Sequence, residues 1–112
     1  MDINKIGHHI SSHYNVELED IRNSVLKMGG IVERQIELAA LSFTSYDMEM
    51  AEQVIQQDDF VNRLEKQIDQ ACTEILAKRQ PAAFDLRLLL SVIRTINDLE
   101  RIGDEATKIA EM

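Results

Sequence analysis

The chain has little of several residue types that mark other classes of protein. Its 112 residues include one proline, four glycines, one cysteine and no tryptophan, and only 4% of them are aromatic. It also lacks the alternation of apolar and polar residues that predicts half-buried strands, so the composition favours an all-helical fold. No stretch approaches the roughly 18 consecutive apolar residues that a membrane-spanning helix needs. At this length we expect a single domain.

Charge and cysteine content narrow the function classes further. A net charge of −8 disfavours nucleic-acid binding, which needs a basic surface, and allows at most a peripheral contact with an anionic membrane. Cys72 is the single cysteine and has no internal disulfide partner, so we expect a reducing compartment, the cytoplasm. The polar residues Met1–Ser12 do not resemble a signal peptide.

Apolar residues that recur every three or four positions predict three helices, at about residues 17–45, 47–79 and 82–112. Short connections between them predict an antiparallel up-down-up three-helix bundle. The apolar seam of the first helix skips Gln35, and that of the second has Gln57 as its one polar member. The third helix reaches the last residue without a stop signal, so we expect it to be cut rather than finished.

Local signals place the helix ends. Asp47 is expected to cap the second helix, which ends near Lys78-Arg79 because Pro81 disfavours helical geometry just before it. Within the first helix, Met28-Gly29-Gly30 favours a continuous helix with a close backbone contact, and a break is the alternative.

One eight-residue motif occurs twice. Asn62–Asp69 and Asn97–Asp104 both read N-x-L-E-x-x-x-D, and the second copy begins 35 positions after the first. In each copy the glutamate and the aspartate are four residues apart, on one face of a helix. Like charges at that spacing destabilise an isolated helix by roughly 0.2–0.5 kcal/mol. The repetition therefore suggests that something positive binds there.

The two motifs have the same phase relative to their own apolar seams. In an antiparallel pair of helices, equal phase brings Glu65 and Glu100 to one side. Both residues also lie at similar distances from Pro81, and therefore at a similar height. The sequence thus predicts one acidic patch beside the core, with Asp104 near Asp58 and Asn62, and with Asp69 near Asn97.

Adjacent carboxylates repel by about 4 kcal/mol per close pair at an effective dielectric constant of ~20, and a bound cation reverses the sign. All-oxygen ligands favour hard divalent or trivalent ions such as iron, manganese, magnesium or calcium, and zinc is also considered. The candidate ligands are Glu65, Asp69, Glu100 and Asp104, with weaker candidates Asp58, Asn62 and Asn97. The alternative is a solvated acidic face whose repulsion is relieved by Lys66, Arg101 and Lys108.

Catalytic constellations are not visible, so we expect no enzyme. Ferritin-like chemistry needs Glu-x-x-His motifs on facing helices, and no histidine follows His13. His8, His9 and His13 are interpreted as a solvated segment, although His9 and His13 have metal-ligand spacing. Cys72 is interpreted as partly buried packing.

Six segments resemble the N-terminal half of the PhoU family of bacterial phosphate-signalling proteins. They follow one another over nearly the whole chain, and the last three are specific: His9–Ser11, Tyr14–Leu18, Met28–Gly30, Ala77–Pro81, Asp85–Arg87 and Leu99–Asp104.

The resemblance implies properties that spacing alone does not give. PhoU proteins have two tandem three-helix repeats with E(D)-x-x-x-D metal-binding motifs, which Glu65–Asp69 and Glu100–Asp104 match. Members are negative regulators that link the phosphate ABC transporter to a membrane sensor histidine kinase, and the family is not known as an enzyme. Its members are about twice as long as this chain, which therefore corresponds to one repeat with an exposed apolar surface, and a homodimer is expected. A metal-buffering or metal-dependent hydrolytic protein is the alternative, and a purely structural fragment is a third.

Overall fold

The computed structural model describes residues 3–79 and 81–112, with side chains from Tyr14 onward. Three helices account for almost all of this part of the chain: α1 (Ile3–Ser45), α2 (Met48–Arg79) and α3 (Ala83–Glu111). Each helix packs against both of the others, in an up-down-up bundle that measures 67 × 19 × 16 Å. The predicted all-α three-helix architecture is confirmed. None of the three helices is long and apolar enough to cross a membrane.

Helix α1 begins much earlier than predicted. The structure places its first residue at Ile3, whereas the sequence pattern suggested a start near Glu17. The physical reason is that no proline interrupts this stretch, and Ile3, Ile6 and Ile10 continue the three-and-four spacing. The side chains of His8, His9 and His13 lie outside the described residues.

The two glycines in the middle of α1 do not interrupt the helix, which confirms the continuous interpretation. The expected close contact there is wrong, because a Cβ atom built on either Gly29 or Gly30 meets no atom of the described residues within 4 Å. The glycines therefore lie on an open stretch of the surface. Their presence is not explained by packing within the described part of the chain.

The turn between α1 and α2 is defined by two adjacent residues. Tyr46 has a left-handed backbone (φ 56°), a conformation that ends a helix and that non-glycine residues adopt at some cost. Asp47 then accepts hydrogen bonds at Oδ1 from the backbone N–H groups of Glu49 (3.0 Å) and Met50 (3.3 Å). The predicted cap is confirmed, and α2 starts one residue later, at Met48.

The predicted apolar seams form the core, which is divided into two clusters. The larger cluster fills most of the bundle and contains ten buried residues: Ile21, Met28, Val32, Val61, Leu64, Ile68, Cys72, Ile75, Leu89 and Ile96. The smaller cluster lies toward the end with the α1–α2 turn and contains Leu38, Ala39, Val54 and Ala106. Between them in sequence, on α1, lies Gln35, a polar side chain with no exposed surface.

At the other end of the bundle, the corner between α2 and α3 is tied to α1. The Arg79 guanidinium donates to Glu17 Oε1 at 2.6 Å, and both side chains are largely shielded from solvent. Pro81 and Ala82 separate this corner from α3, which begins one residue later than predicted, at Ala83. The corner therefore contributes a tertiary contact in addition to its role at the end of α2.

We expect Asp47→Ala to lower the free energy of unfolding by about 1 kcal/mol, because two N–H groups of the first turn of α2 lose their acceptor. For a chain of this size that corresponds to a decrease in Tm of roughly 4 °C, measured by thermal unfolding monitored by circular dichroism. Asp20→Ala, at an exposed position inside α1, is the matched control and should leave Tm unchanged or slightly higher. Equal losses for the two variants would contradict the capping role.

Candidate functional site

Packing of α2 against α3 brings four carboxylates together beside the core. Glu100 on α3 is influenced by Glu65 and Asp58 on α2 and by Asp104 on its own helix. All four side chains are half-buried. We call this group of Asp58, Glu65, Glu100 and Asp104 the acidic cluster. Its position agrees with the prediction that the two motifs share one side of the bundle.

The electrostatic cost of the acidic cluster falls most heavily on Glu100. Burial raises its pKa from 4.5 to about 7, and the adjacent Asp104 carboxyl, together with Glu65 and Asp58, adds to the effect. A carboxylic acid with a pKa near neutrality exchanges its proton in the physiological range. The cluster therefore holds a proton at a higher pH than an isolated carboxylate does.

The pKa values of two further carboxyls in the acidic cluster are also raised. Burial raises the pKa of Glu65, and repulsion from Asp69 and Asp104 raises it further, while Lys66 lowers it. Burial also raises the pKa of Asp58, with a contribution from Asp104, against the hydrogen bond from Gln35. Asp104 thus acts on three neighbours that come from two helices.

Some of the predicted ligands lie outside the acidic cluster. Asp69 is exposed and lies near Glu65 and Cys72. Asn97 is exposed and Asn62 is half-buried, and among the described side chains no hydrogen bond joins either asparagine to the cluster. Among the residues whose side chains are described, no three histidine, cysteine, aspartate or glutamate side chains are arranged to hold one metal ion.

One residue that contacts the acidic cluster from α1 was not among the predicted site residues. Gln35 Nε2 donates to the Val54 carbonyl oxygen at 3.1 Å and to Asp58 Oδ1 at 3.4 Å. Its Oε1 is buried and has no hydrogen-bond partner among the described residues. The signal was present in the sequence as the polar interruption of the α1 seam, since a polar residue at a core position needs partners.

Gly103 makes the approach of α1 to α3 close at this level. A Cβ atom at Gly103 would lie 2.9 Å from Gln35 Oε1 and 3.1 Å from Asp58 Oδ1. The absence of a side chain at Gly103 therefore leaves room for these two oxygen atoms beside the acidic cluster. It directly precedes Asp104 in the second motif.

Cys72 is more deeply buried than the partly buried position predicted for it, with no exposed surface. Burial raises the pKa of its thiol to about 11, with a contribution from Asp69. Because the thiolate is the nucleophile and the metal ligand, this cysteine is unreactive at neutral pH. Its role is packing between the helices.

The bundle, its two E-x-x-x-D motifs and the acidic cluster define a class of helical protein that comparison with known proteins identifies. Residues 25–112 match the family model of the PhoU domain. The chain belongs to the PhoU family.

Individual relatives match nearly the whole chain. A "Phosphate-specific transport system accessory protein PhoU homolog" of Pseudomonas aeruginosa is 51% identical over 110 residues, which are 96% of this chain and 46% of that protein. The accessory protein of the same name, PhoU, from Escherichia coli K12 is 49% identical over 109 residues, 97% of this chain and 45% of that protein. The chain thus spans about half the length of the curated relatives that it matches.

The fold is shared as well. The crystal structure of PhoU from Pseudomonas aeruginosa superposes with a TM-score of 0.86 at 50% sequence identity, over 88% of this chain and 47% of that one. The relatives' names describe an accessory protein of a transport system. That this chain itself catalyses no reaction stays a prediction.

The raised pKa of Glu100 makes the stability of the folded state depend on pH. Folded Glu100 holds its proton up to about pH 7, whereas the unfolded chain releases it near 4.5. The folded state therefore binds more protons between these values, and the stability that Glu100 contributes is complete below pH 4.5 and lost as pH rises to 7. The loss is at most ~1.4 kcal/mol per pH unit for one proton, and less because solvent screens the site.

Glu100→Gln should remove this dependence and should unfold at higher denaturant concentration than the wild type at pH 8. Urea unfolding of both proteins between pH 4.5 and 8 measures the effect. Glu33→Gln, at an exposed position on α1, should follow the wild-type profile. Parallel profiles for wild type and Glu100→Gln would show that Glu100 keeps an ordinary pKa.

Proposed function

We propose that this chain is a regulatory module of phosphate uptake and phosphate signalling. The observation that carries the proposal is the identity of about half its residues, over nearly its whole length, with proteins named as accessory proteins of the phosphate-specific transport system. Through them the module would act in the cytoplasm as a negative regulator. Its partners would be the ATPase of the phosphate ABC transporter and the sensor histidine kinase.

A carboxylate-rich cation site is the second part of the proposal. The ligands are Glu65 and Asp69 on α2 and Glu100 and Asp104 on α3, with Asp58, Asn62 and Asn97 as weaker candidates. The donor set fits a hard ion such as iron, manganese or magnesium better than zinc, because every donor is an oxygen. Mutual repulsion in the acidic cluster supports the proposal, since a cation would relieve it.

The third part is pairing with a second copy of the chain. Several large apolar side chains on α1 and α3 are more than half exposed, among them Leu26 (63%), Phe43 (54%) and Phe84 (74%). Contiguous exposed apolar surface marks interaction sites, and Leu26 borders an apolar groove between α1 and α3 together with Leu88 and Val92. Sedimentation velocity measures the outcome, and a monomer at high protein concentration would contradict the pairing.

Binding to the transport machinery tests the regulatory role directly. The purified 112-residue chain should be retained by the immobilised transporter ATPase and by the cytoplasmic part of the kinase, with an affinity measured by interferometry. An unrelated ATPase of the same transporter class, immobilised in the same way, is the control for both binding measurements. If the chain bound neither the ATPase nor the kinase, the proposed function would be contradicted. Steady hydrolysis of phosphoesters would indicate an enzyme instead.

Metal analysis tests the acidic cluster separately. We expect the chain to bind Mn²⁺ or iron, and Glu65→Gln/Glu100→Gln to weaken binding at least ~10-fold, as the loss of groups at a metal site commonly does. Affinity should also fall as pH drops below 7, because Glu100 must lose its proton to act as a ligand. Glu33→Gln/Glu74→Gln removes two exposed carboxylates elsewhere and should bind like the wild type. Equal affinities for the two double variants, measured by isothermal titration calorimetry, would refute the site.

A further inference from the structure

Gln35 is the most deeply buried polar side chain described, and only one end of its side-chain amide forms hydrogen bonds. The Nε2 group is held in place by the Val54 carbonyl oxygen and by Asp58. The Oε1 atom at the other end of the amide is buried without a partner. A buried acceptor left in this state costs stability, so an amide oxygen retained at such a position requires an explanation.

The surroundings of that oxygen indicate where a ligand would lie. Gln35 Oε1 and Asp58 Oδ1 both lie against Gly103, at 2.9 Å and 3.1 Å from where its Cβ atom would be, so the two oxygens approach the same point of α3. The next residue, Asp104, interacts with Asp58. Oxygens from all three helices therefore converge on one level of the bundle.

The chemistry of these donors is uniform. Amide and carboxylate oxygens are the ligands that hard cations such as Ca²⁺ and Mn²⁺ take in proteins. A neutral amide oxygen adds a ligand without adding negative charge to a cluster that already repels itself. The carboxylates alone provide no set of three at one point in the described residues, and an amide oxygen is the kind of donor that would complete a pair.

We propose that Gln35 is a ligand of the cation site, with its Oε1 joining the carboxylates of Asp58 and Asp104, and that glycine at position 103 lets the Gln35 and Asp58 oxygens come this close to α3. This assignment rests on the proposed cation binding and adds to it a residue from α1, outside both E-x-x-x-D motifs. Cation binding then joins all three helices instead of only α2 and α3.

The purely structural interpretation of Gln35 gives a different expectation. If the amide served only to satisfy the Val54 carbonyl group, then only its N–H donor would matter. Replacement by glutamate would remove that donor and place a further charge beside Asp58. Glutamate would then be at least as harmful as an apolar side chain, to folding and to cation binding alike.

The test measures Mn²⁺ affinity by isothermal titration calorimetry in the 112-residue chain. Gln35→Met keeps the length of the side chain but removes both polar atoms, and we expect at least ~10-fold weaker binding. Gln35→Glu restores an oxygen ligand, and we expect affinity equal to or tighter than that of the wild type. The matched control is Gln57→Met, since Gln57 also has a buried Oε1 without a partner but donates no hydrogen bond to the acidic cluster. It should stay within twofold of the wild type.

A second measurement does not depend on how the variants fold. In the wild-type chain, titration with Mg²⁺ should shift the NMR signals of the Gln35 side-chain amide. The shift should occur at the same Mg²⁺ concentration as the shift of the signals from the acidic cluster. The Gln57 amide should shift much less.

The outcomes separate the two proposals. If the wild type binds Mn²⁺ and Gln35→Met binds as tightly, or if Gln35→Glu is as weak as Gln35→Met, Gln35 is not a ligand and the carboxylate site stands without it. An unmoved Gln35 amide in the Mg²⁺ titration would likewise show that Gln35 is not a ligand. If the wild type binds no ion at millimolar concentration, the proposed cation site itself fails.

Discussion

The opposite directions of α2 and α3 impose the constraint on which the candidate site depends. Each helix carries its glutamate next to the residues that it buries, such as Leu64 on α2 and Ile96 on α3. Burying both apolar seams against each other therefore leaves no freedom to separate Glu65 from Glu100. Burial of the seam stabilises the pair by more than the repulsion costs, since each large apolar side chain contributes roughly 1.5–3 kcal/mol. The raised pKa values of Glu65 and Glu100 follow from this geometry.

Much of this arrangement could be predicted from the sequence, because the governing signals are local. The cap at Asp47, the stop at Pro81 and the three-and-four spacing of the seams each act within a few residues. The start of α1 was predicted less well, because a polar stretch rich in histidine resembles a loop even where nothing stops the helix. The motif pairing across α2 and α3 was predictable because both copies keep the same phase.

The contribution of Gln35 could not be obtained in this way. Its importance comes from contacts with Val54 and Asp58 on α2 and from its nearness to Gly103 on α3, which is 68 positions further along the chain. A polar residue in an apolar seam indicates that partners exist, but not which they are. The same holds for Gly29 and Gly30, for which the sequence suggested a close contact and the structure shows open space. Glycine is compatible with both, and only the neighbouring helices distinguish them.

The burial of Cys72 has a practical consequence for the study of this chain. Its thiol, with a pKa of about 11, has no exposed surface and so stays protonated and shielded near neutral pH, where maleimide reagents attack thiolates on exposed side chains. The native cysteine can therefore be kept in place while a new one is introduced on the surface. A fluorophore attached to that second thiol would report on the rim of the bundle from a single known position.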